Sequence, residues 1–97
     1  MDCTNRQAIL VTKEYLQEIE DSETLWWDYG YEQFSYAKWA TEEILNLLEE
    51  EKDTPPIIVL ESFAEKMNNF ACMNRVNSFI FSVAADTAVD IENHLIK

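Results

Sequence analysis

The amino-acid sequence predicts an all-α fold: a small four-helix antiparallel bundle with an aromatic-rich connection between the first two long helices. The 97 residues include one glycine and two prolines, too few for the frequent turns of a chain of short strands. Apolar residues recur three and four positions apart in four segments, which is the spacing of one helix face. Short links separate the later segments and favour antiparallel neighbours. The length predicts a single helical domain, residues 1–97.

The segment 76–96 is predicted to be the central helix of the bundle. Its apolar residues cover more than half of the helix circumference, so neighbouring helices must cover it on several sides. The main apolar face comprises Val76, Phe79, Ile80, Val83, Ala84, Ala88, Ile91 and Leu95. We expect the core of the protein to contain Phe63, Phe70, Phe79, Ile80, Val83 and Ile91.

Two helices are predicted in the first half of the chain. Thr4 and Gln7 have the spacing of a capping box, and the apolar stripe behind them predicts a helix from about 5 to 21. Helical spacing returns from Gln33 to Lys52. Between them, Ser22 is a candidate cap for a short turn. The chain either bends at Gly30, the interpretation we favour, or continues through it as one long helix.

A third helix is predicted over residues 55–71, after the sequence Asp53-Thr54-Pro55-Pro56. Proline favours the first position of a helix, which makes Thr54 the candidate cap. The short connection Cys72-Met73-Asn74 then predicts an antiparallel hairpin with the last helix.

The net charge of −12 narrows the range of partners. Residues 1–52 carry 13 acidic and 4 basic side chains, whereas residues 53–97 carry 6 and 3. Direct nucleic-acid binding is not expected, because phosphate contacts need Lys and Arg. An anionic membrane surface would repel the chain. A basic protein partner fits this charge; the alternative is that the acidity only keeps the protein in solution.

The cysteines and the start of the chain predict a cytoplasmic protein. Cys3 and Cys72 lack a CxxC partner, and the polar start Met1-Asp2-Cys3-Thr4 does not resemble a signal peptide. No apolar run approaches the length of a membrane span. We therefore expect free thiols in a reducing compartment, with Cys72 acting as a small core residue.

The aromatic cluster is the most unusual feature of the sequence. Seven of the twelve aromatic residues lie between positions 26 and 39. On the second long helix, Tyr36 and Trp39 fall beside Glu43, away from the apolar stripe. Either the connection folds back over them, or they form a partner-binding patch, since Trp and Tyr are enriched at interfaces. The predicted partner-binding residues are Trp26, Trp27, Tyr29, Tyr31, Tyr36, Trp39 and Glu43.

Catalytic and metal signatures are weak. Asp86, Asp90 and His94 recur every fourth residue, so one cation could meet two of them. There is no second histidine and no Glu-x-x-His sequence, which a di-iron bundle would need. The chain has no GxSxG sequence and too few glycines for a phosphate loop. We therefore expect no enzymatic activity, no cofactor and no metal.

The predicted function is that of a small acidic protein-interaction module that forms a homodimer. Spare apolar surface on a small helical protein commonly serves dimerisation, and the residues outside the stripes that supply it are Leu10, Tyr36, Trp39 and Ile58. The alternative is an acidic nucleic-acid mimic that blocks a DNA- or RNA-binding protein. Its candidate residues are Glu14, Glu18, Glu42, Glu43, Glu49 and Glu50.

Overall fold

A computed structural model describes residues 5–22 and 31–96 of the chain, apart from the side chains of Tyr31 and Ile96. These residues form four α-helices and no strand, which confirms the all-α class. The helices are α1 (Asn5–Asp21), α2 (Tyr31–Glu50), α3 (Pro56–Met73) and α4 (Ser78–Ile96). None of them is long and apolar enough to cross a membrane.

The last helix, α4, packs against all three other helices and most extensively against α3. The second helix, α2, also contacts the other three, while α1 and α3 are not extensively packed against each other. The radius of gyration is 13.2 Å, the value expected for a compact domain of about 100 residues. The broadly apolar α4 therefore occupies a central position, which it shares with α2.

The core prediction is correct for three of its six residues. Phe63, Val83 and Ile91 are buried, whereas Phe70 and Ile80 are only half-buried. The assignment of Phe79 to the core is wrong, because 51% of this residue is exposed. It lies in the first turn of α4, and its spacing of seven and eleven residues from the exposed Asp86 and Asp90 places it on the polar side of that helix. Val76, also assigned to the apolar face, precedes the helix and is 91% exposed.

Helix α1 has the predicted bounds, whereas the boundaries of the other helices shift by up to two residues, which is ordinary for helix ends. Helix α2 ends at Glu50 instead of Lys52, and three glutamates at that end disfavour further turns because the helix dipole is negative there. In α3, Pro55 occupies the cap position and makes no side-chain cap hydrogen bond. The predicted cap, Thr54, is therefore wrong by one residue.

Cys72 is exposed and not a core residue, which corrects the prediction. Helix α3 continues to Met73, so Cys72 lies within the helix and not in a connection. At 100° per residue it falls roughly 140° around the helix from the buried Met67. Its side chain therefore points away from the core.

Three buried threonines sit among the apolar residues of α1, α2 and α4. The hydroxyls of Thr12, Thr41 and Thr87 each donate to the backbone carbonyl four residues earlier, at 2.7, 2.7 and 2.8 Å. Each hydroxyl is thus satisfied inside its own helix, without a partner from a neighbour. Within the described part of the chain, no buried side-chain nitrogen or oxygen lacks a hydrogen-bond partner.

Several predictions concern the start of α1 and the connection between α1 and α2. The capping Thr4, the bend at Gly30 and the aromatic residues at 26, 27 and 29 lie outside the described residues. The hydroxyl of Ser22 donates to the carbonyl of Ile19 at 3.1 Å. Ser22 therefore closes the end of α1; the short turn that it was predicted to cap is also outside the described residues.

Candidate functional site

Half-buried and exposed apolar and aromatic side chains occur in the first half of α2 and around the start of α4. Tyr36 on α2 packs its ring edge-to-face on Phe79 of α4, with ring centroids 5.8 Å apart and planes at 70°. Trp39 follows Tyr36 on α2 and is 40% exposed. Val76 precedes Phe79 by three residues. We call Tyr36, Trp39, Val76 and Phe79 the aromatic surface; it combines an edge-to-face ring pair with solvent-exposed apolar area.

Two carboxylates flank the aromatic surface along α2. At 100° per residue, Glu32, Tyr36, Trp39 and Glu43 fall within a sector of about 60° on that helix. Glu32 and Glu43 are both exposed and lie about 16 Å apart along the axis at 1.5 Å per residue. The aromatic pair on α2 thus stands between two negative charges.

The structure brings together only part of the predicted partner-binding set. Tyr36, Trp39 and Glu43 share the outer face of α2, as the periodicity indicated. Trp26, Trp27 and Tyr29, with the side chain of Tyr31, lie outside the described residues.

Val76 and Phe79 are the residues of the aromatic surface that sequence reasoning missed, because both were assigned to the apolar face of the last helix, and Phe79 also to the core. A signal was present, since Phe79 precedes Asp86 by seven residues and Asp90 by eleven. That spacing places it above the polar strip of α4.

Leu10 on α1 and Ile58 on α3, predicted as further exposed apolar residues, are both more than half exposed. They lie on different helices from the aromatic surface. Single exposed apolar residues are ordinary on protein surfaces. Neither therefore marks a site by itself.

A polar cluster joins α1 to the outer strip of α4. The hydroxyl of Tyr15 donates to Oδ2 of Asp90 at 2.8 Å. Nδ1 of His94 lies 2.7 Å from the backbone carbonyl oxygen of Asp90; since a carbonyl only accepts, Nδ1 is the donor. The Tyr15 and His94 rings meet edge-to-face, with centroids 5.8 Å apart.

The environment of Tyr15 keeps its hydroxyl protonated. Burial raises the pKa of Tyr15 well above its usual value, and the hydrogen bond to Asp90 and the negative charges of Asp90 and Glu18 raise it further. Each of these effects disfavours a phenolate. Tyr15 therefore acts as a neutral donor that orients Asp90.

A cleft of about 300 Å³ opens beside this cluster, between α1, α2 and α4. Its lining includes the buried side chains of Ile19, Ala37 and Val83 and the exposed carboxylates of Asp86 and Asp90. No group of three or more His, Cys, Asp or Glu side chains in the described chain is arranged to hold a metal ion. The cleft is thus apolar on one side and acidic on the other.

A carboxyl pair bridges α3 and α4 on another part of the molecule. Partial burial raises the pKa of Glu92, and the charge of Glu61 and a side-chain hydrogen bond with it act in the same direction. Each of these effects disfavours a charged Glu92 beside the carboxylate of Glu61.

The acidic faces of α1 and α2 remain open to solvent. All six glutamates proposed for nucleic-acid mimicry are exposed. The ion pair found among residues 5–22 and 31–96 joins Lys38 to Glu20 at 3.7 Å and uses none of the six.

No family model matches the chain, and neither a curated protein nor a solved structure matches it. A function therefore has to be inferred from the chemistry and geometry of the residues themselves.

Proposed function

We propose that this protein is a non-enzymatic, cytoplasmic protein-interaction module that self-associates through the aromatic surface. The observation that carries the proposal is the exposure of Trp39 and Phe79 beside the Tyr36–Phe79 ring pair. Trp and Tyr dominate the energetic centres of interfaces because they bury large areas with little loss of side-chain entropy. A second copy would cover the same residues in a two-fold symmetric contact.

Helices of alternating direction would bring the beginnings of α2 and α4 to one end of the molecule, and we propose that arrangement. Two contacts support it for α1 and α2. The side-chain amide of Asn5, at the start of α1, donates to the carbonyl of Leu48 near the end of α2 at 2.9 Å. Glu20, near the end of α1, pairs with Lys38 in the first half of α2.

The charge of the chain predicts how self-association responds to salt. Two copies with a net charge of −12 repel each other, and salt screens that repulsion. Apolar contacts do not weaken as salt rises. Self-association through the aromatic surface should therefore strengthen with salt, whereas binding of a basic partner should weaken.

Sedimentation equilibrium tests the proposal. We expect a monomer–dimer equilibrium that shifts toward the dimer at high salt. Trp39→Ala should weaken dimerisation at least tenfold, since loss of an interface centre costs about 2 kcal/mol or more. Leu10→Ala is the matched control, because it removes an exposed apolar side chain from α1 and should change the constant less than twofold. A chain that stays monomeric at every concentration and salt level would refute self-association.

The second candidate function is nucleic-acid mimicry. It is favoured by the exposure of the six glutamates on α1 and α2. Carboxylates at three- and four-residue spacing can compete with phosphates for a basic groove. Its partner would be a nucleic-acid-binding protein released by competing DNA and by salt. Changing Glu14 and Glu18 to Gln would weaken that complex, while Trp39→Ala would leave it intact.

A further inference from the structure

The cleft between α1, α2 and α4 has the composition of a site for an organic cation. Ile19, Ala37 and Val83 provide apolar walls, and Asp86 and Asp90 are the charged residues among those that line it. Among the described residues that line the cleft there is no lysine or arginine, so none of them offsets the negative charge of Asp86 and Asp90. At about 300 Å³ it lies at the lower limit of small-ligand sites.

The two carboxylates occupy successive turns of α4. Residues four apart on a helix have their Cβ atoms about 6 Å apart, a separation that a single cationic group can bridge. Asp90 is oriented by the Tyr15 hydroxyl, which occupies Oδ2 at 2.8 Å. Its other oxygen, Oδ1, makes no hydrogen bond with the described residues. Because Tyr15 is a neutral donor, it orients Asp90 without cancelling its charge.

A metal ion fits this arrangement poorly. Calcium takes six to eight oxygen ligands, and two aspartates with one oxygen already engaged supply far fewer. An alkylammonium group has three donors and an apolar stem that packs on hydrocarbon surface while its charged end stays near water. The cleft offers both of those environments side by side.

We propose that this cleft binds an alkylammonium group, as presented by a lysine side chain of a partner protein. The methylene stem lies against Ile19 and Val83, and the ammonium donates to the carboxylates of Asp86 and Asp90. The side-chain amide of Asn93, which also lines the cleft, supplies a further acceptor. The inference does not depend on the aromatic surface, because none of that surface's four residues lines the cleft.

Nuclear magnetic resonance titration of the ¹⁵N-labelled protein tests the site with three probes. They are lysine capped at both ends, the same molecule acetylated on Nε, and the free diamine cadaverine. A single side chain should bind weakly, with a Kd on the order of 1 mM. We expect capped lysine to shift the amide signals of Asp86, Asp90 and Asn93, and the uncharged acetylated analogue to shift none of them. Tighter binding of capped lysine than of cadaverine would support a protein side chain as the ligand; the reverse order would support a free amine at the same site.

Charge-matched variants separate a defined site from general attraction to an acidic protein. Asp86→Asn should weaken binding at least fivefold. Asp90→Asn should do the same while keeping an acceptor for Tyr15. The control is Asp53→Asn, which removes the same charge from the exposed connection between α2 and α3 and should leave Kd within twofold. Equal losses in all three variants, or equal binding of the acetylated analogue, would overturn the proposal. Unchanged thermal unfolding of each variant would show that a loss of binding is not a loss of fold.

Discussion

At the scale of single residues, the surroundings of a side chain decide its role more than its chemical type does. Tyr15 and Tyr36 are both half-buried tyrosines, yet only the first hydroxyl donates to a carboxylate. The Tyr36 ring instead packs on an exposed phenylalanine. One tyrosine therefore belongs to a polar contact between helices and the other to a candidate interface.

Removing the two hydroxyls separately tests this difference. Tyr15→Phe should lower the free energy of unfolding by about 0.5–1.5 kcal/mol, because it removes a hydrogen bond across helices and leaves Asp90 without its donor. Tyr36→Phe should change it by less than about 0.5 kcal/mol, as expected for a half-buried tyrosine whose hydroxyl makes no such bond with the described residues. Urea unfolding followed by circular dichroism measures both. Equal effects of the two substitutions would contradict this assignment.

At the scale of helices, burial on α4 depends on the face that a residue occupies. Val83 and Ile91 are buried in the middle of the helix, whereas Phe79 in its first turn is half exposed. By contrast, Phe63, which was also predicted to be in the core, lies in the middle of α3 and is buried. The side of the helix on which an aromatic residue lies thus decides how much it contributes to stability.

Two alanine substitutions measure that contrast. Phe63→Ala should cost about 3–5 kcal/mol of unfolding free energy, because it leaves a cavity in the core. Phe79→Ala should cost less than half as much, since about half of its surface is already in water. Chemical denaturation gives both values. The same Phe79→Ala protein should dimerise more weakly if the aromatic surface is the interface; comparable losses of stability in both variants would place Phe79 in the core instead.

The Glu61–Glu92 contact between α3 and α4 predicts a pH dependence. The pKa of Glu92 is raised above 4.5 in the folded protein, so folding favours its protonated form. This contribution to stability is present below the unfolded pKa and is lost as pH rises through the folded pKa. Glu92→Gln should therefore stabilise the protein at pH 7, by less than about 1 kcal/mol because the group is largely solvent-screened.

The gain from Glu92→Gln should disappear below about pH 4, where Glu92 is protonated in both states. Glu65→Gln is the control, because it removes an exposed carboxylate from the same helix as Glu61. Thermal unfolding at several pH values measures both variants. A gain from Glu92→Gln that persists unchanged in acid would contradict a raised pKa of Glu92.

At the scale of the whole molecule, the large negative net charge opposes the compact folded state. The net charge is −12, and mutual repulsion among like charges destabilises a compact chain. The ion pair between Lys38 and Glu20, found within the described ranges, is exposed to solvent and offsets little of this repulsion.

Salt should therefore stabilise the monomer itself. We expect Tm to rise by several degrees from low to high salt, where about 1 kcal/mol corresponds to roughly 4–8 °C in a domain of this size. The measurement uses sodium chloride and potassium chloride at a protein concentration too low for dimers to form. Under this condition a rise in Tm reports screening within the monomer and not self-association. A Tm that falls with salt would show that favourable ion pairs outweigh the repulsion.

The sequence by itself determined the helical class, the approximate extent of each helix and the face that each helix buries. These properties follow from local periodicity and from prolines, so they need no knowledge of neighbouring helices. The outward position of Tyr36, Trp39 and Glu43 on α2 followed from the same rule.

Only the tertiary structure decided which residues of different helices meet. Periodicity describes the angle around one helix but not which residue of another helix meets it. The assignment of Phe79 to the core did not follow from this limit, because its spacing from Asp86 and Asp90 already placed it over the polar strip of α4. The contact of Tyr15 with Asp90 joins residues 75 positions apart, and the packing of Tyr36 on Phe79 likewise depends on how α2 and α4 lie together. Each candidate site combines residues that share one face of a single helix, which the sequence pattern indicated, with a contact between helices that no pattern within a single helix encodes.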